Sequence, residues 1–171
     1  VAGGRSVPAA FNKKTGEKMY YMLAASGKTG GAFTCANNKV FFNHHRWRET
    51  WMYDSETGER LTKDAGEYPV IDGDNIYFSG KEIRALRLGA DKTLDSLWSI
   101  GADASGDLIK AGNCLYAGGE KGITAIKIDP GKSPEVAWSY STNSKIERLV
   151  AANGKLLAVT EKGDLLTFGD T

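Results

Sequence analysis

The sequence predicts an all-β fold, a β-propeller built from four-stranded antiparallel blades, with about four repeats in the chain. Three features carry that expectation. A turn rich in Asn, Gly and Asp, followed by a short apolar run, recurs at residues 36–42, 72–78, 112–117 and 152–158. Measured at Val40, Ile76, Leu115 and Leu156, the steps are 36, 39 and 41 residues, a period characteristic of repeat architectures. The 21 glycines fall in turns between short apolar runs, and no segment carries a helical apolar period, so almost no helix is expected.

Residues 1–24 read as the outer half of a blade, because Val1-Ala2-Gly3-Gly4 matches the phase of Tyr116-Ala117-Gly118-Gly119 at the end of a second strand. Residues 25–63 form the next blade. Its third strand is broken at Thr57-Gly58-Glu59-Arg60, 42 residues after Thr15-Gly16-Glu17-Lys18. The plan is plainest in residues 64–100. A strand at 67–71 meets the Asp72-Gly73-Asp74-Asn75 turn, a strong hairpin signal, and 76–78 returns from it. Residues 83–88 alternate apolar with mostly polar side chains, as a half-buried strand should, and 94–100 make a fourth strand carrying Trp98. Residues 101–141 repeat the plan, with strands at 108–110, 115–117, 123–128 and 136–140. The last repeat, 142–171, stops after a third strand at 165–168 and is read as an incomplete blade.

Trp98 and Trp138 stand 40 residues apart at one phase, each followed by Ser. Recurrence at a fixed phase predicts a structural wedge between blades; burying ~200 Å² at ~25 cal/mol/Å² contributes a few kcal/mol. The functional alternative is a stacking platform for a ring-shaped ligand. Cys35 and Cys114 lie at different phases and form neither a disulfide framework nor a metal cluster, so both are expected as small buried hydrophobes. Lys and Arg number 22 against 21 Asp and Glu, a net charge of +1 that makes no case for a nucleic-acid or membrane-surface partner. No apolar stretch approaches the ~20 residues of a membrane-spanning helix.

The repeat resembles the quinoprotein-like, or PQQ-repeat, β-propeller family, whose repeat has a Thr-Gly break followed by an outer strand ending in Trp. Phe11-Asn12-Lys13-Lys14-Thr15-Gly16-Glu17 and Tyr53-Asp54-Ser55-Glu56-Thr57-Gly58-Glu59 match the break. Leu97-Trp98-Ser99 and Ala137-Trp138-Ser139 match the Trp. The first two repeats lack the Trp, and the next two have altered breaks. The family includes quinone-dependent dehydrogenases, an outer-membrane assembly lipoprotein and many binding scaffolds. The resemblance implies rings of around eight blades, so the chain is expected to be about half of a larger ring. The alternative is a self-closed four-bladed ring with one end frayed. A periplasmic or secreted location is likewise implied by the resemblance.

One loop face of such a propeller gathers the turns between second and third strands and those leading into each new blade. It would carry Arg5, Lys81, Lys121 and Lys145 beside Asp103 and Glu120. The unusual segment there is Asn43-His44-His45-Arg46-Trp47-Arg48-Glu49, which holds both histidines of the chain. Arg5, His44, His45, Arg46, Trp47 and Arg48 are the candidate ligand contacts, with Arg offering forked donors and Trp47 a stacking face. The plain alternative is a solvated loop with Trp47 packed on the adjacent blade. A metal site is not expected, because adjacent residues on an extended chain point to opposite sides and no third His exists. No Gly-x-Ser-x-Gly, phosphate-binding glycine loop or Cys-x-x-Cys occurs. The reading is a non-catalytic binding or scaffold module without a cofactor, taking a protein, peptide or glycan on its loop face beside the remaining blades of the ring. The alternative implied by the resemblance is part of a PQQ- and calcium-dependent oxidoreductase. For that, the family's adjacent cysteine pair has no match here.

Overall fold

The computed structural model describes residues 9–21, 30–45, 50–62 and 69–169, with backbone alone at 30–35 and 44–45. The described residues contain strands and turns and no helix. The chain divides into two compact units, Val1–Phe78 with Leu86–Asp95, and Ser79–Ala85 with Ser96–Thr171.

The first unit opens with β1 (Ala9–Phe11) and β2 (Lys18–Tyr21), an antiparallel pair forming a two-stranded sheet. The next sheet has four strands in sequential order, β3 (Gly30–Ala36), β4 (Val40–His45), β5 (Thr50–Asp54) and β6 (Arg60–Thr62). A second four-stranded sheet follows in the same order: β7 (Pro69–Asp72), β8 (Asn75–Phe78), β9 (Ile83–Leu88) and β10 (Leu94–Ile100). The second unit carries the complete sheet β11 (Asp107–Ala111), β12 (Cys114–Gly119), β13 (Gly122–Lys127) and β14 (Glu135–Ser141). It ends in a three-stranded sheet, β15 (Ile146–Ala152), β16 (Lys155–Thr160) and β17 (Leu165–Phe168). The four-stranded antiparallel sheets expected from the repeat are present, each with its strands in sequence order.

The Thr-Gly breaks are built twice by one set of hydrogen bonds. Asn12 Oδ1 accepts from the N–H of Lys14 (2.9 Å) and Thr15 (3.2 Å), and Thr15 Oγ1 accepts from Glu17 N–H (3.2 Å). In the next sheet Asp54 Oδ1 accepts from Glu56 (2.7 Å) and Thr57 (3.1 Å), and Thr57 Oγ1 from Glu59 (3.2 Å). In both, the Gly N–H closes back on the Asn or Asp carbonyl, at 2.8 Å from Gly16 and 3.0 Å from Gly58. Short side-chain acceptors turn the chain locally, which is why Asn or Asp, Thr and Gly recur at these offsets.

Apolar alternation then places the core. Val40, Phe42, Met52, Ile76, Phe78 and Leu88 form one buried cluster of the first unit. On the opposite face of the β3–β6 sheet, Phe41 stacks on Tyr53 at 4.9 Å, flanked by Trp51, with Arg60 over the Trp51 ring at 4.7 Å. Tyr20 of β2 packs against this second cluster, and its hydroxyl donates to the Ser55 carbonyl at 3.2 Å. A Tyr thus does in the first half-blade what Trp was expected to do in later ones. Burial, and secondarily the Asp54 carboxylate, raises the Tyr20 pKa and keeps the phenol a donor. The second unit has its own core of Ile123, Ile146, Leu149, Leu156 and Ala158. Asp107 ties its two sheets by accepting from Leu149 N–H at 2.8 Å. Cys114 departs from expectation: it is free and half-buried, because it opens β12 beside the Gly112-Asn113 turn. The Cys35 side chain lies outside the described residues.

Gly58 and Gly16 share the left-handed conformation (φ 77° and 73°) but not their surroundings. A Cβ on Gly58 would stand 2.5 Å from the Tyr20 ring, whereas one on Gly16 would meet nothing within 4 Å. Gly16→Ala should therefore lose only about 1 kcal/mol of backbone preference. Gly58→Ala should lose about 1–3 kcal/mol more from the clash. Urea unfolding of the two variants measures this, and equal losses would contradict the seating of Tyr20.

Asp54 is 9% exposed and is contacted by the Lys92 ammonium. That contact first, and the Thr57 and Glu56 N–H donors next, hold its carboxyl below the ordinary 3.8 against the opposing effect of burial. A depressed folded pKa contributes stability that is present above 3.8 and is lost as pH falls through the folded value. Asp54→Asn should accordingly melt lower than the parent at neutral pH, with the gap narrowing in strong acid. Thermal melts showing a constant gap would count against it.

Candidate functional site

Four aromatic rings bridge the two sheets of the second unit. Across β12, β13 and β14, Tyr116, Ala125 and Trp138 are register partners on one face. Ala125 is fully buried and has no side chain beyond Cβ, so the Tyr116 and Trp138 rings meet over it at 6.1 Å. Trp138 then stacks on Phe168 of β17 at 5.6 Å and 27°. Tyr140, two residues further along β14 and on the same face, meets Phe168 edge-on at 5.1 Å and 72°. Such offset and edge-to-face pairs contribute ~0.5–1.5 kcal/mol beyond their buried area.

The expected wedge is therefore present at Trp138, but it is 36% exposed rather than buried, and Tyr140 is 47% exposed. β17 pairs with β16 alone, whereas the third strand of each complete sheet is flanked by a fourth. Between the two sheets lies an open groove of about 610 Å³, within the range of ligand sites. Trp138, Tyr140 and Tyr116 line it from one sheet; Phe168, Asn153 and Lys155 line it from the other. At one end stands the Asn153-Gly154 hairpin, whose positive φ values (51° and 72°) suit a tight two-residue connection. Burial, with a smaller contribution from Cys114, raises the Tyr116 pKa, so its hydroxyl remains protonated at neutral pH. Lys155 is the charged residue of the lining. The arrangement offers ring faces, a free strand edge and one cation; it holds no acid-base pair.

The sequence-predicted site lies largely outside the described residues. Arg5, Arg46, Trp47 and Arg48 lie outside the described residues, as do the side chains of His44 and His45. The two histidines occupy the end of β4, where His44 is opposite Thr50 and Phe33, and His45 is opposite Gly30. Of the loop-face charges, Lys145 pairs with Glu147 at 3.2 Å and approaches Glu120 at 4.0 Å. Burial disfavours the charge on Asp103, but donors from Ser105 and the Glu120 N–H outweigh it and hold the pKa below the ordinary value. These groups tie neighbouring loops to one another. Among the described residues no three His, Cys, Asp or Glu stand together as a metal set. The groove's sequence signal is the Trp138-Ser139-Tyr140 alternation.

No family model matches the chain, and no curated protein matches it. Solved structures do. BamB from Moraxella catarrhalis superimposes with a TM-score of 0.72 at 14% identity, over 94% of this chain and 51% of that one. The computationally designed Ika8 protein gives 0.67 at 12% identity, over 94% and 51%. The computationally designed Ika4 protein gives 0.64 at 13% identity, over 85% of this chain and 95% of that one. The fold is that of a β-propeller. The chain spans about half the length of BamB and of Ika8.

Ala125 offers a direct check of the groove's construction. Ala125→Leu should push Tyr116 and Trp138 apart and destabilise by about 1–3 kcal/mol in urea unfolding. Ala137→Leu, at an exposed position of β14, should stay within about 0.5 kcal/mol of the parent. Indistinguishable effects would refute the packing described.

Proposed function

We propose that this chain is a non-catalytic, protein-binding propeller scaffold, and that the groove beside β17 is where it takes an extended segment of a protein. The observation that carries the reading is the groove's aromatic lining of Trp138, Tyr140 and Phe168, with the outer edge of β17 unpaired among the described residues. A row of unpaired N–H and C=O groups on an edge strand is satisfied by another strand. The rings of Trp138, Tyr140 and Phe168 then receive every second side chain of that segment. A peptide fits this combination better than a glycan, because the edge demands a ladder of alternating donors and acceptors. The resemblance to quinoprotein-like repeats supports a periplasmic or secreted setting as part of the same proposal.

The complete sheets supply a suitable probe. In the preceding sheet the outer position is held by β14, with the sequence Glu-Val-Ala-Trp-Ser-Tyr-Ser. A fluorescently labelled, end-blocked peptide of that sequence should bind the chain saturably, as read by anisotropy. Tyr140→Asp should weaken it by about tenfold or more. Absence of saturable binding, or binding indifferent to Tyr140→Asp, would show that the groove is not a strand site.

A further inference from the structure

We infer that Asn153-Gly154 is a site of spontaneous modification, where asparagine converts to isoaspartate and resets the β15–β16 hairpin. The chemistry belongs to the turn itself and is independent of what the groove binds.

The conversion consumes water and nothing else. The Gly154 backbone nitrogen attacks Cγ of Asn153, forming a C–N bond. The Cγ–Nδ2 bond breaks, and ammonia leaves with the proton given up by the Gly154 nitrogen. The product is a cyclic succinimide, which a water molecule then opens. Breaking the new Cγ–N bond yields aspartate. Breaking the original backbone C–N bond instead yields isoaspartate, whose main chain runs through Cβ and Cγ and is longer by a methylene. No oxidation or reduction is involved.

The repeat provides its own comparison. Asn37, Asn113 and Asn153 all stand in the turn between the first and second strands of a sheet. Asn37 Oδ1 accepts from the N–H of Lys39 (2.9 Å) and Val40 (2.8 Å), and its Nδ2 donates to the Gly73 carbonyl at 3.1 Å. Asn113 Nδ2 donates to Asp129 Oδ1 at 3.0 Å. Asn153 is exposed, and among the described residues no hydrogen bond holds its carboxamide. It is also the one asparagine in the sequence followed by glycine, which has no side chain to obstruct ring closure. The nucleophile is equally unengaged. The turn amides of Gly16, Gly58 and Gly163 donate to the carbonyls of Asn12, Asp54 and Thr160, whereas the Gly154 N–H donates to no carbonyl among the described residues. A Cβ at Gly154 would meet nothing within 4 Å, so water and hydroxide reach the reacting atoms.

The position gives the conversion a structural consequence. A two-residue turn with φ of 51° and 72° holds Ala152 opposite Lys155 and Ala151 opposite Leu156. Hairpin register follows from turn type and loop length, so a lengthened main chain cannot keep both pairings in place. Leu156 is buried in the cluster of Ile123, Ile146 and Leu149, and the disturbance therefore reaches the core of the second unit. Asn153 and Gly154 also line one end of the groove, where the conversion leaves a carboxylate.

Incubation of the folded 171-residue chain at mildly alkaline pH tests this, with peptide mass mapping and methyl transfer by an isoaspartyl methyltransferase as readouts. Deamidation should appear at Asn153 ahead of every other asparagine, and the enzyme should methylate that peptide. A folded chain intact at Asn153, while the urea-unfolded chain deamidates there, would show that the hairpin protects the site and would overturn the inference. Asn153→Gly retains a pair suited to this turn and should lose the methylation; persistence of the signal would place the modification elsewhere. The isoaspartyl form, separated by anion exchange, should unfold at lower urea than Asn153→Asp, which has the same charge on an ordinary backbone. Equal midpoints for those two would refute the resetting of the hairpin.

Discussion

A four-stranded sheet of this size has an apolar face that it cannot bury by itself, and everything else in the chain follows from how that face is covered. The solution is an aromatic residue on the outermost strand that leans onto the next sheet. Tyr20 does this against Phe41 and Tyr53, and Trp138 does it against Phe168. Neighbouring residues are shaped around the lean. Gly58 leaves room for the Tyr20 ring, and Ala125 lets Trp138 approach Tyr116. Polar ties accompany it without replacing it. Asn37 Nδ2 donates to the Gly73 carbonyl at 3.1 Å, Lys39 pairs with Asp74 at 2.8 Å, and Asp107 receives Leu149 N–H. The exposed Lys39–Asp74 pair contributes little by itself; the Asp107 contact is shielded and fixes register between sheets.

The same device explains the groove. Trp138 and Tyr140, which lean toward the β15–β17 sheet, stay partly exposed and line it. The proposed binding surface needs no specialised loop.

Much of this was legible from the residues. Turn chemistry at Asp72-Gly73 and Asn153-Gly154, alternation in 83–88, and the repeated Trp-Ser placed strands accurately, because local propensity and burial agree at those points. The break sequences were recognised, and the hydrogen bonds of Asn12 and Asp54 show why they recur. Two things were hidden. Tyr20 performs the wedge role in a repeat that lacks Trp, and only its contact with Ser55 and the Gly58 gap reveals the substitution. The degree of exposure of Trp138 depends on packing between two sheets, which periodicity within one repeat cannot report. The site anticipated at Arg5 and His44 to Arg48 rests on residue chemistry and lies largely outside the described residues, whereas the groove emerges only once strand order is known.

The lean of an outer aromatic onto the following sheet is tested most directly by a double-mutant cycle on Trp138 and Phe168. Urea unfolding of Trp138→Ala, Phe168→Ala and the double variant should show a coupling of about 0.5–1.5 kcal/mol, the double variant losing less than the two singles combined. Strict additivity, with each ring acting independently of the other, would contradict the account.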